Sequence, residues 1–381
     1  MLERNLVALN IQFMSDNRFV VESKHFAVRR ISIQKSIFCF RMANGPFDDA
    51  SPRQVLEALL RSTLPMDEVV YAFGYGSGVF SQQIRNETEE DETKLIDMIV
   101  VVRNDLEFHR ANMVLNPSHY WVPPFIQDGA AWSTWWQRQQ PPTWMGRNPG
   151  LYFVLTDKLK YGVVQIDDLC DDLQYWQYLY MAGRMQKPVL TLIDEIDCNS
   201  SRSTPSITKL QSEVNLPAAL ASSLLLLSDA TQQSTSVTSG EVYRQIARLS
   251  YLGDFRVQYG AEDPQKITRL VEGPGQLERF DKLYAEAATA FQEQGILSIN
   301  SANSENQPLD PCRSWSWDTS PAGKKFLYDQ LPFSTTNLES HLARIVAPSA
   351  RYQSFKGIIT AGPYKAWKYA TRKLAKGILR R

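Results

Sequence analysis

Between Tyr71 and Gln83 the chain reads YAFGYGSGVFSQQ, which places glycines at 74, 76 and 78 and a hydroxyl, Ser77, between the last two. Glycine admits a ligand close to the backbone, and the amides of such a turn favour anions. Downstream comes LIDMIVVV, Leu95 to Val102, a β-branched apolar run that carries one carboxylate, Asp97. A buried strand bearing a single acid must pair it, hydrogen-bond it or give it a metal. A strand, a Gly-Ser turn and a second strand with a carboxylate can together transfer a nucleotidyl group. The backbone at Gly76 and Gly78 and the Ser77 hydroxyl would take phosphate oxygens, and Asp97 would hold Mg²⁺ over the α-phosphate. No Gly-Lys-Ser/Thr follows, so this is not a P-loop. Asp97 lies within its strand, not at its end, unlike the ribose-binding acid of a dinucleotide fold.

The elements that would position these residues follow from periodicity and punctuation. PRQVLEALLRST, 52 to 63, predicts an amphipathic helix, and Glu68 to Phe73 a buried strand that feeds the glycine turn. ETEEDET, 87 to 93, is a solvated loop before the Asp97 strand. A helix and a polar turn follow over Asn104 to Trp121. Residues 122–149, rich in Trp, Pro and Gln, read as an irregular insertion or mobile loop. Strands are expected at Leu151 to Leu155 and Tyr161 to Ile166, then one helix ending near Gly183, and a strand after Pro188. NSSRSTPS, 199 to 206, marks a domain boundary. Helical segments at 207–228, 241–251 and 276–292 flank a Ser/Thr loop at 231–240, and 299–323 reads as loop.

With 381 residues, 43% hydrophobic, the chain can bury a large core. Its charge is formally zero but uneven: after Glu339 no acid occurs, leaving an acidic body and a basic tail, which points to an anionic partner for the tail. Cys39, Cys170, Cys198 and Cys312 show no metal or disulfide spacing and read as buried thiols. The longest apolar run, Leu216 to Leu227, is too short for a membrane span. The first 41 residues, with bases such as Arg29, Arg30, Lys35 and Arg41 but also three acids, fit a transit peptide or an ordinary N-terminus.

YGSGVFSQ (75 to 82), LIDMIVV, HRANMVLNPSHYW (109 to 121), KYGVV (160 to 164), LYMAGRMQKPV (179 to 189), SYLGDFRV (250 to 257) and QSFKGIITAG (353 to 362) occur in this order. With these motifs, from Tyr71 to Gly362, the chain resembles the mitochondrial translocator assembly and maintenance family, the matrix-side phosphatidate cytidylyltransferases. The resemblance implies an α+β fold: a nucleotidyltransferase-like mixed sheet with helices over 51–200, a mainly helical winged-helix-like domain over 207–340, and a membrane-associating segment over 341–381, after an N-terminal segment, 1–50. It implies a peripheral enzyme of the mitochondrial inner membrane, matrix side. The implied reaction is CTP plus phosphatidic acid to CDP-diacylglycerol and pyrophosphate, with Mg²⁺, toward cardiolipin. A non-catalytic assembly or import-maintenance factor, or a nucleotidyltransferase with a soluble or RNA acceptor, are the alternatives.

On this view Gly76, Ser77 and Gly78 cradle the CTP phosphates, Asp97 holds Mg²⁺, and Arg184 and Lys187 neutralise the triphosphate or lipid phosphate. Many nucleotidyltransferases place a second acid at i+2 of the strand, where this chain has Ile99. The second ligand is then sought at Asp167 or Asp168, with Asp168 favoured and Asp254 taken as a structural or nucleotide contact. His109, Asn112, Asn116 and His119 fit either cytidine or phosphate contact, or helix capping and loop hydrogen bonds. In a helix from Pro363 to Arg381, Trp367, Leu374 and Ile378 gather on one side, and Lys365, Lys368, Arg372 and Lys376 on the other. With Lys356, these form an interfacial surface for an anionic membrane, at about 1 kcal/mol per base. No base-reading module accompanies them, and no nucleic-acid partner is expected.

Overall fold

The computed structural model describes residues 51–80, 95–156, 159–195, 206–231, 236–258, 265–300 and 313–361. The N-terminal 1–50, ETEEDET, residues 199–205 of the boundary and the tail residues Lys365, Trp367, Lys368, Arg372, Leu374, Lys376 and Ile378 lie outside them.

Helix α1, Pro52–Thr63, begins at a reciprocal cap: the Ser51 hydroxyl accepts from the Gln54 amide, and Gln54 Oε1 accepts from the Ser51 amide at 2.8 Å. It buries Leu56 and Leu60, each worth about 1.5–3 kcal/mol of transfer free energy. Strand β1, Val69–Tyr75, runs antiparallel to β2, Ile96–Val102. Helix α2, Asp105–Leu115, is capped by the Asn104 side chain, and helix α3 spans Gly129–Arg138. Strand β3, Leu151–Leu155, is antiparallel to β4, Leu159–Gln165, which lies parallel to β2. Helix α4, Ile166–Tyr175, and a short α5, Ala182–Met185, precede β5, Leu190–Asp194, which closes the sheet antiparallel to β1. Among the described residues these five strands form one mixed sheet in the order β3-β4-β2-β1-β5.

Alternation along β2 divides the core. Ile99 and Val101 pack with Phe73, Leu151 and Val164 toward the helical half; Met98, Val100 and Val102 pack with Tyr152 and Tyr161 on the other face. The helical half comprises α6 (Leu216–Thr231), α7 (Ser239–Leu249), α8 (Gln276–Glu293), α9 (Pro321–Asp329) and α10 (Leu338–Ala361). Strands β6 (Ser236–Thr238), β7 (Leu297–Asn300) and β8 (Ser314–Trp317) form a small antiparallel sheet among them. One apolar cluster runs from Val70 of β1 to Val346 of α10, so sheet and helices share a core. Residues 207–229 are long and apolar enough to cross a membrane by composition, but 61% of the apolar window is buried inside the fold.

Several expectations change. The 122–149 stretch contains α3, whose N-cap Asp128 accepts from the Ala131 amide at 2.9 Å. The buried stripe is Ala130, Ser133, Thr134 and Gln137, with Trp135 outward and Trp132 and Trp136 half-buried, which hides the usual apolar period. The helix expected to end near Gly183 breaks after Tyr175, where Trp176 and Leu179 take positive φ of 50° and 49°. The fully buried Asp172 carboxylate holds that break by accepting from five successive amides, Tyr178 to Ala182, at 2.8 to 3.0 Å. The 231–240 and 299–323 loops contribute strands β6, β7 and β8. Cys170 is a buried free thiol, as expected.

Candidate active site

Strand β1 ends at Tyr75, directly opposite Asp97 in register. The chain then turns at Gly76, φ +80°, a left-handed conformation that disfavours a side chain; an added Cβ would stand 3.8 Å from Asp97 Oδ2. Gly78 is small for another reason: a Cβ there would lie 2.4 Å from the Leu95 carbonyl oxygen. The single helical turn Ser77–Phe80 therefore lies flat against the entrance to β2, with the Val79 amide donating to Gly76 O at 3.2 Å. The Ser77 hydroxyl falls outside what is described.

Asp97 is partly exposed, and its Oδ1 lies 3.3 Å from Nζ of Lys160, its register partner on β4. Lys160 in turn sits 4.7 Å over the Phe153 ring. Facing them is Arg184 of α5, whose guanidinium lies 4.3 Å from the Tyr180 ring centroid and 5.0 Å from that of Tyr75. Arg184 Nη1 donates to Tyr180 O at 3.1 Å, while the buried Arg184 Nε and Tyr75 hydroxyl have no hydrogen-bond partner among the described residues. Burial opposes the charge on Arg184, but the Tyr75 and Tyr180 hydroxyls outweigh it and raise its pKa. Burial would raise the Tyr180 phenol, yet Arg184, Arg256 and Lys160 together pull it below its ordinary value.

The break at residues 176–181 positions this cationic wall. Asp172 ties the loop down, and Asn215, in a widened π turn before α6, accepts from Trp176 Nε1 and Gln186 Nε2 and donates to Ala182 O. One helical turn after Gly183, Lys187 donates to Gly183 O and to Ser250 Oγ. Burial, with Arg184 and Lys266 nearby, brings its pKa down to about 7. An acid on the sheet thus faces several cations across a Gly-lined turn, an arrangement suited to a polyphosphate accompanied by a divalent cation.

Not every expected residue belongs there. Asp168 lies in the first turn of α4, beyond the Gln165 end of β4, whereas Asp97 pairs with Lys160 at its other end. Five strand residues, about 16 Å, separate those levels, so Asp168 does not share a metal with Asp97. It belongs to a separate cluster with Asp105 and Arg138, where burial and the Asp105 charge push its carboxyl up to about 6. Asp254 is buried, with both oxygens bound by Arg256; it fixes a cation and offers no carboxylate to a nucleotide. His109 and Asn112 are fully buried on the opposite face of the sheet from Asp97, where they hydrogen-bond Gln137, Tyr120 and Tyr161. Lys356 is likewise not a surface base: its Nζ donates inside the fold to Asn148 Oδ1 at 2.9 Å and Gln137 O at 3.3 Å. Among the described residues no group of three or more His, Cys, Asp or Glu side chains could hold a metal. A Mg²⁺ site at Asp97 would draw its remaining ligands from phosphate and water, a normal set for this ion.

Tyr180, Lys160, Arg256 and Asp172 were not read as part of the site. KYGVV and GDFR contain two of the cations, but only register brings Lys160 beside Asp97, and only the fold brings Arg256 close to Tyr180.

Among family models, the chain matches the one described as phosphatidate cytidylyltransferase, mitochondrial, over residues 56–338 and 333–376. The mitochondrial phosphatidate cytidylyltransferase of Schizosaccharomyces pombe is 30% identical over 347 residues, covering 81% of this chain and 80% of its own. That of Xenopus laevis is 31% identical over 339 residues, covering 83% and 92%. That of Drosophila melanogaster is 28% identical over 354 residues, covering 82% and 95%.

Proposed function

We propose, because the chain belongs to the mitochondrial phosphatidate cytidylyltransferase family, that it joins CTP to phosphatidic acid, giving CDP-diacylglycerol and pyrophosphate. The observation that carries the site is Asp97 at the bare Gly76 turn, facing the Arg184 and Lys160 cations. A phosphate oxygen of phosphatidic acid attacks the α-phosphorus of CTP, forming one P–O bond as the bond to the β-phosphate breaks and pyrophosphate leaves. The nucleophile is already anionic near neutral pH, so positioning and charge neutralisation carry the step and no strong base is needed. Gly76 lets the backbone approach the triphosphate, with the Ser77 hydroxyl as a further donor, while Gly78 lets the turn lie against Leu95. Arg184, Lys160 and Lys187 balance the charge on the leaving phosphates. Mg²⁺ held by Asp97 would supply Lewis-acid neutralisation of the α-phosphate oxygens.

The mixed sheet serves as a nucleotidyltransferase-like core, and the small β6-β8-β7 sheet with α7 and α8 as a winged-helix-like module. The relatives' names support a mitochondrial place, which we take to be the matrix side of the inner membrane, where the product feeds cardiolipin synthesis. The basic tail, Lys365 to Arg381, supports peripheral attachment to an anionic bilayer. The test supplies α-labelled CTP and Mg²⁺ with phosphatidic acid vesicles or with RNA. Label is expected in the lipid fraction only. Label in RNA, or in neither, contradicts the reading.

A further inference from the structure

Helix α3 packs Trp136 against the core but turns Trp135 outward. It buries Ala130, Ser133, Thr134 and Gln137, while Trp135 is 49% exposed and stacks on Trp132 at 6.0 Å between centroids. The apolar exposure continues into the flanking loops, with Phe125 79% and Trp144 77% exposed, and onto the end of α2, where Val114 is 84% exposed. These segments are joined: α2 packs on α3, and a Cβ on Gly129 would meet Met113 Sδ at 3.1 Å and Val122 at 3.0 Å. Single exposed apolar side chains are ordinary, but indole and phenyl rings gathered along one helix and its loops mark a contact surface.

We propose that this face docks on an anionic lipid bilayer, with the indole rings at headgroup depth; the proposal rests on the reading that the substrate is a lipid. Tryptophan, apolar in body and polar at its N–H, settles at the bilayer interface. Helix α10 crosses α3 where Lys356 reaches Gln137 O, and past Ala361 the chain continues into residues 362–381, which hold seven bases and no acid. The seven bases thus follow in sequence from the helix that packs on α3, and positive charge favours anionic lipid over a protein partner. Helix α2 also leads toward the Asp97 edge. The His109 ring lies on Tyr152, and three residues later Asn112 donates to Tyr161, whose register partner is Met98. Val114 therefore lies toward the end of the sheet that carries Asp97, on the face opposite it.

The test uses the full chain and a triple variant, Phe125→Ser, Trp135→Ser and Trp144→Ser, floated with vesicles of phosphatidylcholine mixed with phosphatidylglycerol. Affinity is expected to fall at least about tenfold, with unchanged melting temperature and unchanged label transfer to short-chain, water-dispersed phosphatidic acid. Unchanged vesicle affinity overturns the proposal. So does a wild-type dimer that the variant loses while keeping vesicle affinity, which would assign the face to self-association. If the wild-type chain makes no CDP-diacylglycerol, the reading of its reaction fails, while flotation still reports on the surface.

Discussion

On one face of the central sheet, His109, Asn112, Tyr120, Tyr161 and His119 share hydrogen bonds of 2.7 to 2.9 Å among themselves. Burial lowers His109 to about 4, so it stays neutral; its Nε2 donates to Gln137 Oε1 and its Nδ1 accepts from Tyr120. On the other face, Asp97 is partly open, Arg184 Nε and the Tyr75 hydroxyl lack partners among the described residues, and several cations converge. Both faces are rich in polar side chains. The first closes on itself and specifies a packed core; the second keeps charge available, as binding an anion requires.

Substitutions should separate the two faces. The largest effect is expected from Arg184→Ala, which should lower kcat/KM for CTP by about 10²–10³-fold with an unaltered circular dichroism spectrum. An equal loss of folded protein would assign Arg184 to the core instead. Asn112→Leu should do the reverse, costing about 3 kcal/mol in denaturant unfolding because two buried tyrosine hydroxyls lose a donor, while the folded fraction keeps its turnover. A large fall in turnover would return Asn112 to the site. Lys187, with its pKa near 7, loses its charge as pH rises, so CTP affinity should weaken between pH 6 and 8, by up to about tenfold per pH unit above 7. Lys187→Arg should flatten that profile; a persistent slope would assign it to another group. The smallest effect concerns Asp168, whose folded pKa of about 6 lies above the unfolded value. The folded state holds this proton where the unfolded chain has lost it, so this stabilisation is present at low pH and is lost as pH rises through about 6. Asp168→Asn should remove that contribution from a stability profile measured across pH 4 to 6.

What was legible in the sequence was local. The amphipathic run PRQVLEALLRST announces α1, the β-branched run announces β2, and LYFVL is β3 residue for residue. Asp97 stood out because an acid in an apolar strand requires a reason. The failures all depend on contacts distant in sequence. Asp168 was a reasonable second ligand until β4 proved parallel to β2, which puts it at the opposite end of the sheet. Lys356 has the composition of a surface base but is buried between α10 and α3 by two oxygen acceptors. Helix α3 shows no apolar stripe because its fully buried positions are mostly small or polar and Trp135 faces outward. The loop that presents Arg184 is shaped by one buried acid, Asp172, indistinguishable in sequence from its acidic neighbours.

The open face makes its chemistry through Asp97, and the direct comparison is with Asp168, the acid at the wrong end of the sheet. Label transfer from CTP to phosphatidic acid should be measured for Asp97→Asn and Asp168→Asn side by side, each with its melting temperature. The expected result is a loss of at least about 10³-fold for Asp97→Asn with its fold intact, and a change within about twofold for Asp168→Asn. Full transfer by Asp97→Asn, or a comparable loss in Asp168→Asn, would contradict the assignment.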